Sequence, residues 1–281
     1  MLSYLVLLFW VSRPLLLPGV PLIFLLGVYL AGGSLSELPL IGIVQLIVWT
    51  VPLGILLYGL NDIYDFESDQ KNPLKGKGFG EALLPEYHNL VLKSAIISGL
   101  FIIAVAFCTL QLTNILLSSL MVILAVSYSV PPVRLKTRPP LDSLVNGLGY
   151  CLLPFALGFT YFLPLTQIPT ELLLVSLTVM GAHMYASIRD YTYDKETGER
   201  TISVVLGKRP TAFMASVTVL IPLVYLIQTG GSIPAIIFLA VAFGTSVLTT
   251  FWPSERFVSK SVRFLFLLFI ICIIWFILII K

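Results

Sequence analysis

Long, uninterrupted apolar runs constrain this chain more than any other feature. A bilayer core of about 30 Å needs about 20 apolar residues per helix. That ruler marks nine spans in the 281 residues: 14–32, 39–60, 92–110, 114–130, 143–163, 170–188, 211–229, 233–252 and 263–280. The runs are continuous rather than alternating, which excludes a transmembrane β-barrel. Nine helices use about 180 residues, leaving little chain for an extramembrane domain. Hydrophobic residues make up 58 % of the chain and charged residues 11 %. That balance excludes soluble globular, disordered, collagenous and disulfide-scaffold classes. Cys108, Cys151 and Cys272 lie singly within apolar runs, without metal or redox spacing, and read as inert. The opening MLSYLVLLFWVSRP has no basic leading region and no small-residue cleavage site. It reads as a short interfacial segment rather than a cleaved signal peptide.

Charge placement then orients the chain. Of 17 Lys and Arg, all but Lys281 fall on one side under the nine-span reading. They are Arg13; Lys71, Lys75, Lys77 and Lys93; Arg134, Lys136 and Arg138; Arg189, Lys195, Arg200, Lys208 and Arg209; and Arg256, Lys260 and Arg263. The positive-inside rule makes that side cytoplasmic, with the N-terminus inside and the C-terminus outside. A miscounted span would have split these residues between the two faces, so their segregation also argues for nine. The outer connections (Gly33–Glu37, Gln111–Thr113, Pro164–Pro169, Gly230–Gly231) are short and nearly uncharged. The net charge of +3 is too small and scattered for nucleic acid. The expected fold is an all-α membrane protein, nine transmembrane helices in one bundle, multi-pass in the cell membrane. With no targeting extension in view, a prokaryotic plasma membrane is the expectation, and membrane lipids are the surrounding partners.

Twelve of 14 Asp and Glu share the basic side, the exceptions being Glu37 and Glu171. The positive-inside rule does not predict this, because acidic residues contribute little to topology. Two groups stand out. At the end of span 2 the chain reads Asn61-Asp62-Ile63-Tyr64-Asp65-Phe66-Glu67-Ser68-Asp69. If the helix continues, Asp62, Asp65 and Asp69 line one face and Glu67 turns away. At the end of span 6 the chain reads Arg189-Asp190-Tyr191-Thr192-Tyr193-Asp194, with Asp190 and Asp194 stacked four residues apart. Like charges stacked at a helix C-terminus oppose both one another and the macrodipole. A cation offsets that cost, and hard carboxylates without Cys or paired His point to Mg²⁺ rather than zinc or iron. Mg²⁺ takes one or two protein carboxylates and leaves positions for phosphate oxygens. Two clusters facing each other across a bundle would suit a Mg²⁺-bridged diphosphate, with Lys71, Lys75, Lys136, Arg189 and Lys195 neutralising remaining phosphate charge. The plainer alternative is a pair of solvated helix ends. The matching positions in spans 2 and 6 also hint at a duplicated four-helix unit, about 14–130 and 143–252, plus a ninth helix, within a single 1–281 domain.

These residues carry a resemblance. The string N-D-x-x-D-x-x-x-D (Asn61, Asp62, Asp65, Asp69), the later D-x-x-x-D (Asp190, Asp194) and nine spans resemble the UbiA superfamily of intramembrane prenyltransferases. Tyr128-Ser129-Val130-Pro131-Pro132-Val133-Arg134-Leu135-Lys136 is similar to the Y-S-x-P-P-x-R-L-K segment of many members. The resemblance implies a helical bundle with a central cavity opening toward the bilayer, and two Asp motifs holding a prenyl diphosphate through Mg²⁺. Ionisation of the C–O bond would leave an allylic carbocation that alkylates a lipophilic acceptor. By resemblance, Asn61, Asp62, Asp65, Asp69, Asp190 and Asp194 form the metal–diphosphate site, and Lys136 contacts the diphosphate. Arg134 and Arg138 are also expected of any cytoplasmic loop. Lys71, Lys75 and Lys195 match by charge alone. Tyr64, Tyr128 and Tyr191 would face the cation with their rings, or serve as an ordinary interfacial aromatic belt.

His183 is the one ionisable residue well inside a span, seven residues before Asp190 with Ser187 between them. An intramembrane ionisable group is a site candidate; it would lie deeper than the diphosphate, where the acceptor reacts, or else bond a neighbouring helix as a neutral ring. His88 reads as a solvated loop residue. The run from Asn61 to Gly76 (N-D-I-Y-D-x-E-S-D-x-x-N-P-x-K-G), with Glu81-Ala82-Leu83-Leu84 after it, looks most like the carotenoid branch, the lycopene elongases that add a C5 unit from dimethylallyl diphosphate. The expected function is therefore Mg²⁺-dependent prenyl transfer to a carotenoid such as lycopene. Alternatives are an aromatic quinone precursor or another lipid acceptor, and, in a different class, a membrane transporter or an assembly subunit. Transporters keep coupling carboxylates near the midplane, and no Asp or Glu here lies mid-span.

Overall fold

The structure is a computed structural model that describes residues 2–14, 19–70 and 83–279. Lys71, Lys75, Lys77 and Glu81–Ala82, which extend the first motif, lie outside the described residues, as does Lys281. The described residues form helices and turns, with no strand. Eight helices are long and apolar enough to cross a membrane: Leu40–Tyr64, Pro85–Cys108, Leu112–Ser129, Leu141–Phe159, Leu172–Thr197, Lys208–Gln228, Ile233–Phe251 and Glu255–Phe276. In place of the expected span 14–32 is Gly19–Leu30, whose 12 residues rise only about 18 Å. A separate helix, Leu2–Val11, precedes it and exposes Tyr4, Leu5, Phe9 and Trp10, in keeping with an interfacial segment. Many other large apolar side chains stand outward, among them Ile97, Leu100, Ile123 and Leu267, where acyl chains rather than water would solvate them.

Several helices start or end away from the edges of the apolar runs. Pro85–Cys108 starts before the expected residue 92, Glu255–Phe276 before 263, and Leu172–Thr197 continues past 188. A hydropathy ruler stops at the first charge, whereas a helix does not. Pro85 suits the first helical turn, and Glu86 and Glu255 sit in first turns where the macrodipole favours acid.

The described chain divides into two compact units, Met1–Arg134 with Leu153–Ile168, and Leu135–Leu152 with Pro169–Lys281. In the first, Phe24, Trp49, Leu53, Ile102, Met121, Phe155 and Phe159 are among the largest fully buried side chains. Here Gly19–Leu30 meets the end of Leu141–Phe159 backbone to backbone. A Cβ on Gly27 would lie 2.2 Å from the Phe155 carbonyl oxygen, and one on Gly158 would lie 2.0 Å from that of Phe24. Small residues permit such close crossings, which is how membrane helices gain packing without a hydrophobic driving force. A buried polar cluster ties the same unit together. Gln45 Nε2 donates to Asn114 Oδ1 at 2.6 Å, while Asn114 Nδ2 and the Tyr161 hydroxyl donate to Gln45 Oε1 at 2.9 and 2.7 Å. The second unit packs Met184, Tyr185, Ile188, Ile202, Ala212, Ala215 and Val258 into one core. The Tyr185 hydroxyl lies 3.1 and 2.8 Å from those of Thr249 and Ser261.

The helix Leu40–Tyr64 is not uniform. It breaks at Trp49–Thr50 (Thr50 φ −104°, ψ −105°) and passes through a five-residue π stretch, Ile55–Gly59. Pro52 accounts for the break: it has no N–H for the carbonyl four residues earlier, and its ring collides with that carbonyl. A π turn holds an extra residue, which rotates everything after it by about 100°. The face that the aspartates beyond Gly59 present is therefore set inside the span.

Candidate functional site

In the first unit the chain stays helical through the acidic run, bending at Asp65 (φ −104°, ψ 2°). The Asp65 N–H still donates to the Asn61 carbonyl at 2.9 Å and the Asp69 N–H to the Asp65 carbonyl at 2.8 Å. The ladder therefore persists, and Asp62, Asp65 and Asp69 share a buried side (2 %, 6 % and 8 % exposed) while Glu67 faces out. Tyr64 is also on the exposed side; Tyr128 is half-buried.

Two arginines from distant loops reach this turn. Arg13 Nη2 donates to Asp62 Oδ1 at 2.6 Å and to Asn61 Oδ1 at 3.4 Å, and its guanidinium lies 4.5 Å from the Tyr58 ring centroid. Arg134 Nη2 donates to Asp65 Oδ1 at 3.1 Å and to the Tyr64 carbonyl at 3.5 Å. Asn61 Nδ2 donates to Asp65 Oδ2 at 2.5 Å, so the Asn of the motif orients its central carboxylate. Both arginines adopt positive φ, +55° at Arg13 and +39° at Arg134, a conformation that costs a non-glycine residue on the order of 1 kcal/mol or more. Arg134 stands in the segment similar to Y-S-x-P-P-x-R-L-K, though a cytoplasmic loop would carry it in any case. Arg13 entered only as a topological charge, because a pairing across 49 residues leaves no local signature.

In the second unit Asp190 bends the chain in the same way (φ −100°, ψ 3°). Its carboxylate receives both Nε and Nη2 of the adjacent Arg189, the shortest contact being 2.6 Å. Asp194, one turn on, accepts the Thr201 hydroxyl at 3.0 Å, and the charges of Asp190 and Lys136 both act on it. Lys195 is exposed, its ammonium 5.9 Å from the Tyr191 ring centroid, and that of Lys208 lies closer, at 4.6 Å. His183 is half-buried, with Nδ1 3.1 Å from the Ser143 hydroxyl oxygen on the neighbouring helix. The acid missed by sequence reasoning is Asp142, wholly buried in the first turn of Leu141–Phe159. An Asp two residues after a Pro-Pro pair, in the first turn of an apolar helix, was the available signal.

Among the described residues no three His, Cys, Asp or Glu side chains converge to ligate one ion. Mg²⁺ takes few protein ligands and completes its shell with water and phosphate. The donors present are carboxylates alone, with no thiolate near them, so the residues fit a hard cation.

Comparison with known proteins adds a second line. The profile described as the UbiA prenyltransferase family matches residues 20–273. Over 210 residues the chain is 27 % identical to the C(50) beta-cyclic carotenoids biosynthesis protein LbtBC of Dietzia sp. (strain CQ4), covering 74 % of this chain and 48 % of that protein. Over 185 residues it is 31 % identical to the lycopene elongase/hydratase of Haloarcula japonica, covering 66 % of this chain and 61 % of that one. The chain thus spans about half the length of the first relative and about three-fifths of the second. Its fold is similar to that of a UbiA homolog from Archaeoglobus fulgidus bound to DMAPP and Mg²⁺, with TM-score 0.69 and 17 % identity, covering 96 % of this chain and 98 % of that one.

Proposed function

The chain belongs to the UbiA prenyltransferase family, and from that premise we propose that it transfers a prenyl group from an isoprenyl diphosphate to a lipophilic acceptor within the membrane, with Mg²⁺ as cofactor. The acceptor is a carotenoid such as lycopene, and the donor dimethylallyl diphosphate. The observation that carries this reading is the buried acidic turn: three aspartates at the end of an apolar helix, two of them clasped by arginines. Relatives named for carotenoid biosynthesis and lycopene elongation support the acceptor class.

Asp62, Asp65 and Asp69 of the first motif, with Asp190 and Asp194 of the second, would hold the metal. Bound Mg²⁺ would neutralise the diphosphate and make it a better leaving group. Asn61 and Thr201 aim carboxylates, while Arg134, Lys136, Lys195 and Lys71 supply positive charge for the departing diphosphate. When the C–O bond breaks, its electron pair leaves with the diphosphate oxygen and the C5 unit becomes an allylic cation. Apolar walls would keep water from that cation, and the ring face of Tyr128 would stabilise it, whereas Tyr64 stands on the exposed side of the turn. His183 would face the acceptor rather than the diphosphate.

The proposal includes nine crossings, a cytoplasmic N-terminus and a site mouth on the cytoplasmic side. It also includes descent from a duplicated unit within one 1–281 domain. The near-identical bends at Asp65 and Asp190, each followed four residues later by a second aspartate, support the duplication.

The test uses purified protein in detergent with radiolabelled dimethylallyl or geranylgeranyl diphosphate, lycopene or a quinone precursor, and Mg²⁺ or EDTA. The expected result is Mg²⁺-dependent C5 transfer to lycopene, abolished by Asp62→Asn or Asp190→Asn. Transfer only to the quinone precursor overturns the acceptor assignment. Absence of transfer to any acceptor overturns the enzymatic reading.

A further inference from the structure

Thr201 occupies the position that caps the short helix Ile202–Leu206, with extended backbone geometry (φ −74°, ψ 163°), yet its side chain makes no cap hydrogen bond. A threonine there ordinarily accepts an N–H from the first turn of its own helix. Here the hydroxyl donates instead to Asp194 Oδ2 at 3.0 Å. The first helical N–H, that of Ile202, is taken at 3.1 Å by Asp142 Oδ2, from a residue 60 positions away. The other carboxylate oxygen, Asp142 Oδ1, accepts the Ser143 N–H at 2.8 Å and the Ser143 hydroxyl at 3.3 Å. With that hydroxyl donating to Asp142, its oxygen is left to accept from His183 Nδ1–H at 3.1 Å. The segment is pinned once more where the Ser203 hydroxyl donates to the Ser187 carbonyl at 2.9 Å. Asp142, Ser143 and Ser203 are wholly buried, and Ile202 nearly so.

We infer that Asp142 is a positioning residue for the second aspartate motif. By accepting the Ile202 N–H from the start of a neighbouring helix, it fixes the Thr201–Ile202 segment in the place from which the Thr201 hydroxyl donates to the Asp194 carboxylate. The chemistry favours a carboxylate in this place. Two oxygens on one planar group accept two backbone N–H donors at once, whereas an amide offers one acceptor oxygen and turns an NH₂ toward the other donor. Asp142→Asn therefore forfeits one of the two backbone bonds at nearly constant volume. The buried N–H left over costs about 1–3 kcal/mol if it stays in place, which drives the Thr201–Ile202 segment, and Asp194 with it, out of register.

This inference rests on reading Asp194 as a metal–diphosphate ligand, so its test separates the two. Mn²⁺ binding to purified protein with inorganic pyrophosphate is followed by electron paramagnetic resonance, and initial transfer rates are measured against Mg²⁺ concentration. Asp142→Asn is expected to weaken Mn²⁺ binding and raise the half-saturating Mg²⁺ by about tenfold, the scale of losing a group that orients a metal ligand. Its kcat at saturating Mg²⁺ stays near that of the parent. Thr201→Val, which leaves Asp142 in place, is expected to do the same, and the double variant to be no worse than the more affected single one. A folded Asp142→Asn with parental Mn²⁺ affinity, or with lowered kcat and unchanged Mg²⁺ dependence, overturns the assignment. Should that variant fail to fold, Thr201→Val decides, and parental Mn²⁺ affinity there overturns it equally. A parent protein that binds no Mn²⁺ with pyrophosphate and transfers no prenyl group instead overturns the metal–diphosphate reading.

Discussion

Arg13 and Asp62 form the tightest pairing at the first acidic turn, 2.6 Å apart with side chains 15 % and 3 % exposed. Removing one member of such a pair leaves the other charge buried, which costs far more than the pair contributes net. Arg13→Ala is expected to lose about 3 kcal/mol, the low end for buried pairs because the arginine is partly exposed. Asp62→Asn added to it should restore most of that stability without restoring transfer. Chemical denaturation in detergent, run beside the transfer assay, checks both halves. An Arg13→Ala protein as stable as the parent would remove this pair from the account. The aspartate spacing was legible in advance, since the i, i+3, i+7 pattern is local and survives the bend at Asp65. Arg13 and Asp142 were not, because each acts on a residue that only the folded chain brings near.

Helix crossings make their own demands. A methyl group on Gly27 or Gly158 would press into a backbone carbonyl at 2.2 or 2.0 Å, and backbone yields less readily than a side chain. Gly27→Ala and Gly158→Ala are each expected to cost about 1–3 kcal/mol, the range for overpacking. Gly244→Ala is the control: nothing lies within 4 Å of its added carbon, and the change should stabilise its helix by about 0.5–1 kcal/mol. Equal melting temperatures for all three would contradict the crossing. Pro52→Ala should heal the break at Trp49–Thr50 and rotate the acidic turn, cutting transfer by about 100-fold while the protein still folds, since a shift of about 1 Å suffices for that. Apolar runs located these helices without revealing the π stretch or the early starts at Pro85 and Glu255, because hydropathy measures solvent preference rather than hydrogen-bond pattern.

At the scale of the molecule the open quantity is orientation, and it is measurable. In a chain whose native cysteines are replaced, Gln111→Cys should react with a membrane-impermeant maleimide on intact cells. Arg200→Cys should react only after permeabilisation. The reverse pattern would invert the topology, and labelling of both from one side would require an even number of crossings between them. The fold class followed from composition and run length, which depend on the bilayer alone. The assignment of Leu153–Ile168 to the first compact unit did not, since it depends on which helices pack together. The arginine clasp has a consequence for biosynthesis. Arg13 precedes Asp62 by 49 residues and Arg134 follows Asp65 by 69. As the ribosome extends the chain, one counter-charge is already waiting when the acidic turn emerges, and the other arrives only after two further helices have been made. Until then the nascent protein has Asp65 without the arginine that it meets in the folded chain.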